Sequence, residues 1–269
     1  MSHQDWIEIS RDARGVACVT ITNATKLNTL NRAVMMALID GVERLAEDPT
    51  LRIVILRGAG TRAFIGGADI TEMAAFDADS ARAFITLVHH SCDVFRRLPV
   101  PVIARIQGYT LGAGLEVAAA CDMRVAASDA IFGMPEVRIG IPSVVEAALL
   151  PQLIGWGRTR ELLLTGETID AATAERWGLV EQVVAPDALD AAVERRVTAV
   201  LACGPRAIRA QKALIQAWEN LPMSDAIQRG IDSFAASWDS DEPVRMMRGF
   251  LDTMRRRKLA GSHGGNHGA

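Results

Sequence analysis

The chain has 269 residues, 49% hydrophobic and 23% charged, with a formal net charge of -3 and a pI near 6.0. That length suits one generous core, or one main domain with a helical appendage, and the mildly acidic balance gives no footing to a nucleic-acid partner. No apolar run reaches the roughly 18 residues needed to span a bilayer, and the opening MSHQDWIEIS lacks the basic start and apolar core of a secretion signal, so a cytoplasmic protein is expected.

In chain order, WIEIS and VACVTIT alternate as strands, Asn31 is placed to cap a helix through about Leu45, and LRIVILRG reads as a buried strand. TRAFIGGADI, Thr61 to Ile70, then sets Gly66 and Gly67 before a polar turn. It is read either as a plain tight turn or as a place where backbone amides face a ligand. An apolar-faced helix from Ser80 to Leu98 leads through Pro99 and Pro101 into the strand VIARIQG. MRVAA, IFGMPE and the short LVEQVV are the last extended pieces; the pattern turns helical from Ser143, and from about Pro205 to Lys258 it is almost wholly amphipathic helix. GSHGGNHGA is expected to be a flexible tail, its His263 and His267 being tail residues before they are metal ligands. The expected organisation is a core over 1–204, a helical region over 205–258 and a disordered 259–269. Cys18, Cys92, Cys121 and Cys203 form no CxxC pair and lie in apolar segments, so buried reduced thiols are expected, with no metal.

The chemistry concentrates in IQGYTLGAGLEVAAACD, Ile106 to Asp122. Gly108, Gly112 and Gly114 flank a helix start whose free amides suit a developing negative charge. One carboxylate, Glu116, sits inside that apolar helix. Burying it unpaired costs several kcal/mol or raises its pKa, so it needs either a partner such as Arg124 or Arg138, or a purpose. Glu136, after Pro135 in IFGMPEVRIGIP, is read either as a surface acid or as a second carboxylate brought to the same pocket. Ser143 and Glu146 have the spacing of a capping box, the favoured reading; the rival has Val144, Val145 and Glu146 facing a pocket. Tyr109 either lines a pocket or packs in the core, while His89, His90, Trp156 and Trp177 have no partner legible in the sequence.

KLNTLN, AFIGGADI, GYTLGAGLEVAAACD, FGMPEVRIGIP and LTGETIDAATAERWGLVEQVV, in this order and spacing, resemble the enoyl-CoA hydratase/isomerase (crotonase) family from about residue 6 to about 258. The resemblance implies an α/β fold, a ClpP-like spiral of repeated ββα units with C-terminal helices used to form trimers or dimers of trimers. It implies an oxyanion hole made by the backbone N–H groups of Ala68 and Ala113, the latter often glycine in relatives, and a catalytic pair, Glu116 and Glu136. It further implies water addition to a trans-2-enoyl-CoA, with Glu136 donating a proton to C2, in the breakdown of fatty, amino or aromatic acids. The substrate contacts it implies are Lys26, Gly66, Gly67, Asp69, Ile70, Tyr109, Gly112, Pro135 and Val144. CoA is part of the substrate rather than a cofactor, and the basic run Arg255 to Lys258 reads as a solvated helix end before a phosphate site. A double-bond isomerase, thioester hydrolase or decarboxylase on the same fold, and a non-catalytic scaffold, are the alternatives. The sequence departs from many relatives after Pro142, where SVVEAALLP replaces a glycine-rich stretch.

Overall fold

The computed structural model describes residues 6–263, with side chains through Arg256. The chain divides into two compact units, Met1–Leu201 and Ala202–Ala269.

The first unit contains two sheets. The larger runs in the order β1 (Ile7–Arg11), β2 (Val16–Ile21), β3 (Ile53–Gly58), β5 (Val102–Ile106), β7 (Met123–Ala127), β10 (Gln182–Val184); all neighbours are parallel except β1 with β2. The smaller runs β4 (Ala63–Ile65), β6 (Tyr109–Leu111), β8 (Ile131–Gly133), β9 (Thr168–Asp170), with only β9 antiparallel. Three times in succession a strand of the large sheet is followed by one of the small sheet and then by helix: β3, β4 and α3 (Ala78–Arg97); β5, β6 and α4 (Ala113–Ala120); β7, β8 and α5 (Leu150–Thr165). This recurrence is the ββα spiral.

Period-two alternation explains why the large sheet is covered on both faces. Val16, Ile53, Ile103 and Val125 pack with Leu189, Ala192, Val193 and Val197 of α7 (Leu189–Leu201). Their neighbours Ala17, Val54, Ala104 and Ala126 face the main core, shared with α1 (Arg32–Ala46), α3 and α4. Local signals set the helix starts: Asn31 Oδ1 accepts from Val34 N at 2.9 Å, and a capping box of Asp77 and Ser80 starts α3 at Ala78, two residues before the expected Ser80. All eight residues of α4 are buried, so its C-terminal carbonyls cannot turn to water. Arg124, 4% exposed, meets that need: its guanidinium donates to Ala118 O at 3.3 Å, Cys121 O at 2.8 Å and Leu179 O at 2.9 Å, and it pairs with Glu181.

In the second unit, α8 (Pro205–Trp218), α9 (Met223–Ala236) and α10 (Glu242–His263) follow one another. Gly204 offers no side chain as a cap for α8; the buried Glu242 does so, accepting from Arg206 N at 3.2 Å and Ala207 N at 2.9 Å. Trp218, Ile227, Ile231 and Phe234 are exposed and line a cavity of about 670 Å³. The described part of α10 runs through His263; residues 264–269, with His267, lie outside the described residues. No helix of the described residues is long and apolar enough to cross a membrane.

Two expectations need correction. Cys92 and Cys121 are buried, but Cys18 is half-buried and Cys203 exposed, because Cys203 falls in the Ala202–Gly204 turn rather than in a packed helix face. The short strand β9 carried no recognisable signal: Thr168–Asp170 is three residues long and is made a strand by its pairing with β8.

Replacing Arg124 by Met should lower unfolding stability by about 2–4 kcal/mol, because three buried carbonyls lose their donor. Chemical denaturation followed by circular dichroism measures this, and an unchanged midpoint would contradict the capping role.

Candidate active site

The parallel register of the small sheet brings three strand ends together. Ile65 of β4 stands opposite Thr110 of β6, and Leu111 of β6 opposite Gly133 of β8. The chain therefore leaves the sheet side by side at Gly66-Gly67-Ala68, at Gly112 and at Met134-Pro135-Glu136. Gly66, Gly67, Ala68, Gly112, Pro135 and Glu136 line one small cavity of about 70 Å³, with Ile70 and Met73 at its edge. Ligand clefts at the carboxyl ends of parallel strands have this origin.

Two backbone amides follow the cavity's glycine turns, that of Ala68 after Gly66-Gly67 and that of Ala113 after Gly112. Leu30 N donates to Gly67 O at 2.8 Å and Asp69 N donates to Leu30 O at 2.9 Å, so Leu30 is bridged to the residues either side of Ala68. Ala68 N–H is consequently turned the other way. Ala113 is the first residue of α4, where helix geometry leaves the N–H without an intrahelical acceptor. Among the described residues neither amide has a protein acceptor. Gly112, φ +51°, is demanded by the close approach of Glu136: a Cβ there would collide with Glu136 Oε1.

Glu116 is 4% exposed and has no cation. Arg124 is spent on α4's carbonyls and on Glu181, and Arg138 donates to Thr165 O at 3.4 Å, so the ion-pair alternative fails for both. Among the described residues the Glu116 carboxyl has one hydrogen bond, from Ala147 N at 3.2 Å from Oε1. Burial, then the negative charge of Glu136, push its pKa up to about 8; the Ala147 amide lowers it, and Glu146 raises it a little. Glu136 is half-buried rather than a surface acid, and Ser143 Oγ donates to its Oε2 at 2.7 Å.

That bond overturns the capping box. Ser143 serves Glu136, the N-cap of the following 3-10 turn (Val145–Leu149) is Val144 with no side-chain bond, and Glu146 is buried and turned toward α3, where His89 Nδ1 lies 2.7 Å from its Oε1. Of the other expected contacts, Lys26 is exposed and pairs with Asp69 at 3.7 Å, while Asp69 caps a short helix, α2 (Ile70–Met73), accepting from Thr71 N. Tyr109 is 44% exposed and lies away from the cavity lining, as does Val144. His89 has no partner legible in the sequence, and the tertiary fold supplies Glu146. Trp156 and Trp177 each lie under an arginine, Arg160 and Arg158. Among the described residues no group of three potential ligands gathers for a metal ion.

Residues 11–256 match the family model described as Enoyl-CoA hydratase/isomerase. The chain is 34% identical over 238 residues to a crotonyl-CoA hydratase of Syntrophomonas wolfei, covering 88% of this chain and 92% of that one. It is 33% identical over 250 residues to a short-chain-enoyl-CoA hydratase of Clostridium acetobutylicum, covering 91% and 94%. A crystal structure of an enoyl-CoA hydratase from Mycobacterium smegmatis superposes with a TM-score of 0.89 at 30% identity, over 92% of this chain and 96% of that one.

A carboxyl whose pKa is raised from 4.5 to about 8 has a defined effect on stability. Across that window the folded state keeps a proton that the unfolded state gives up, so the contribution is full below about 4.5 and is lost as pH rises through 8. Glu116→Gln should therefore be more stable than the wild type at alkaline pH, with the gap widening by about 1–3 kcal/mol between pH 5 and pH 9. Unfolding midpoints across pH test this, and a gap that narrows would refute it.

Proposed function

The chain belongs to the enoyl-CoA hydratase/isomerase family and has its α/β crotonase fold, and we propose that it adds water across the C2=C3 bond of a trans-2-enoyl-CoA. The observation that carries this reading is a strand-end cavity lined by Ala68, Gly112 and Glu136, with Ala113 and the buried Glu116 next along α4, and with the amides of Ala68 and Ala113 left without a protein acceptor among the described residues.

As water oxygen bonds to C3, the C2=C3 electron pair moves toward the thioester oxygen, and the amides of Ala68 and Ala113 hold that charge. Such donors are fixed in advance and act in a site with little water, so each is worth about a hundredfold to a thousandfold in rate. The enolate then takes a proton at C2. The chemistry needs one ionised carboxyl to accept a proton from water and one protonated carboxyl to supply C2. Two acids that repel one another and share a single proton fulfil that requirement. Glu136, at the cavity wall, is assigned as donor to C2. Glu116, behind it, takes the water proton, and its raised pKa makes it a stronger base than an exposed carboxylate. The proton held by Glu116 in the empty site passes to Glu136 when water and thioester enter.

Lys26, exposed beside the cavity-forming Ala68-Asp69 turn, is assigned to a phosphate of CoA. The reading carries with it a cytoplasmic enzyme with no cofactor beyond the CoA of its substrate, assembled from several copies. The exposed Trp218, Ile227, Ile231 and Phe234 favour assembly, since a contiguous apolar patch of this kind is costly in water. Phe234→Asp should shift the protein toward smaller particles in light scattering; an unaltered mass would remove this face from the interface.

Loss of the conjugated thioester absorbance across short, branched, long and aromatic trans-2-enoyl-CoAs tests the activity. Wild type should hydrate at least one, and Glu116→Gln and Glu136→Gln should each lose about a hundredfold or more. Absence of hydration beside turnover of a 3-enoyl-CoA would replace the reading by double-bond isomerisation.

A further inference from the structure

Glu146 is a third carboxyl close to the site, and the reaction above does not use it. It is 6% exposed, it sits on the 3-10 turn immediately before Ala147, and Ala147 N is the donor to Glu116. Its Oε1 meets His89 Nδ1 at 2.7 Å, whereas its Oε2 is buried without a hydrogen-bond partner. The other polar hydrogen facing this carboxyl is the Cys92 thiol on α3, whose pKa is raised in part by a hydrogen bond to Glu146, and a thiol is a weak donor. The turn is also held against its preference, since Val145, a β-branched residue, adopts φ +38°.

The surroundings leave little else to balance the charge. From α3, His89 and the fully buried Cys92 face Glu146; burial first, and then the charges of Glu146 and Glu116, push the Cys92 thiol well up, so it stays neutral. From α4 the facing acid is Glu116, with Glu136 beyond it. His90 touches only the His89 ring, at 5.7 Å between centroids. From α5, the sequence Leu150-Pro151-Gln152-Leu153-Ile154 offers no titratable group before Arg158, which donates to Trp177 O. His89 is thus the single basic side chain paired with Glu146 among the described residues, and its half-exposed ring ties this buried acid to solvent.

We propose that Glu146, clamped by His89, is a positioning residue for Glu116: it anchors the turn whose Ala147 amide holds the Glu116 carboxyl, and it stands as a further acid beside the Glu116 and Glu136 pair. The functional part of this rests on Glu116 being a working carboxyl of the hydration. The electrostatic part does not. A buried negative neighbour favours the neutral form of Glu116, so removing the charge makes Glu116 give up its proton more readily.

Carbon-13 NMR of the full chain carrying glutamate labelled at Cδ follows Glu116 directly, its resonance assigned by loss in Glu116→Gln. Wild type is expected to titrate near 8. Glu146→Gln, which keeps the shape and removes the charge, should move the midpoint to lower pH by roughly half a unit or more. Glu146→Ala, which also frees the turn and its Ala147 amide, should leave the midpoint above that of Glu146→Gln, because the amide that lowers the Glu116 pKa is lost. A midpoint unmoved in both variants overturns the proposal, and so does one that rises in Glu146→Gln or is identical in the two variants. Should Glu146→Gln not fold, the Ala variant alone decides: an unmoved midpoint overturns the proposal. The titration needs no substrate, so failure of the hydratase reading shows separately, as lack of turnover by the wild type.

Discussion

A carboxylate placed in the middle of a wholly buried helix is the constraint on which the rest of this site depends. Glu116 cannot be left ionised and alone there, because desolvation would cost several kcal/mol. Pairing it with an arginine would satisfy the fold and remove the chemistry. The structure takes a third course. Arg124, the nearest candidate in sequence, is bound to the carbonyls at the far end of the same helix, which secures α4 while leaving its acid without a cation. Burial and the neighbouring Glu136 then raise the pKa of Glu116, and one backbone amide, Ala147 N–H, opposes them.

The glycines of the site follow from the same constraint. Glu136 reaches Glu116's neighbourhood only by crossing directly over residue 112, which must have no side chain and must take a left-handed φ. That conformation also turns the chain abruptly from β6 into α4. A single glycine thus admits the second acid and starts the helix that carries the first, and the two cannot be varied independently.

How much of this was legible depended on how local the determining contact is. The lone acid of GLEVAAA, the Asn31 cap and the alternation of the central strands are properties of neighbouring residues, and the folded chain repeats them. Short strands such as Thr168–Asp170 exist only through their partners, and no pattern of three residues reveals that. Ser143 and Glu146 are the instructive case. Their spacing is that of a capping box, but Ser143 is drawn to Glu136 and Glu146 to His89, 57 residues earlier in the chain. Propensity gave way to two tertiary bonds, each to a charged or titratable group stronger than a backbone amide as partner.

The turn Ser143–Ala147 shows where the site's rigidity comes from. It supplies the Ser143 hydroxyl to Glu136, the Ala147 amide to Glu116 and the Glu146 carboxyl to His89, three contacts from five consecutive residues. A glycine-rich stretch adopts unusual dihedrals at no steric cost but leaves the segment loose. Here a valine occupies a left-handed φ, strain that costs on the order of 1–3 kcal/mol and persists only where neighbouring contacts over-determine the backbone. The anchored ends, Ser143 on one side and Glu146 on the other, supply that over-determination. Both carboxyls are therefore oriented by one strained, cross-braced turn as well as by their own elements, and their mutual geometry is inherited from contacts, such as Glu146 with His89, that touch neither of them.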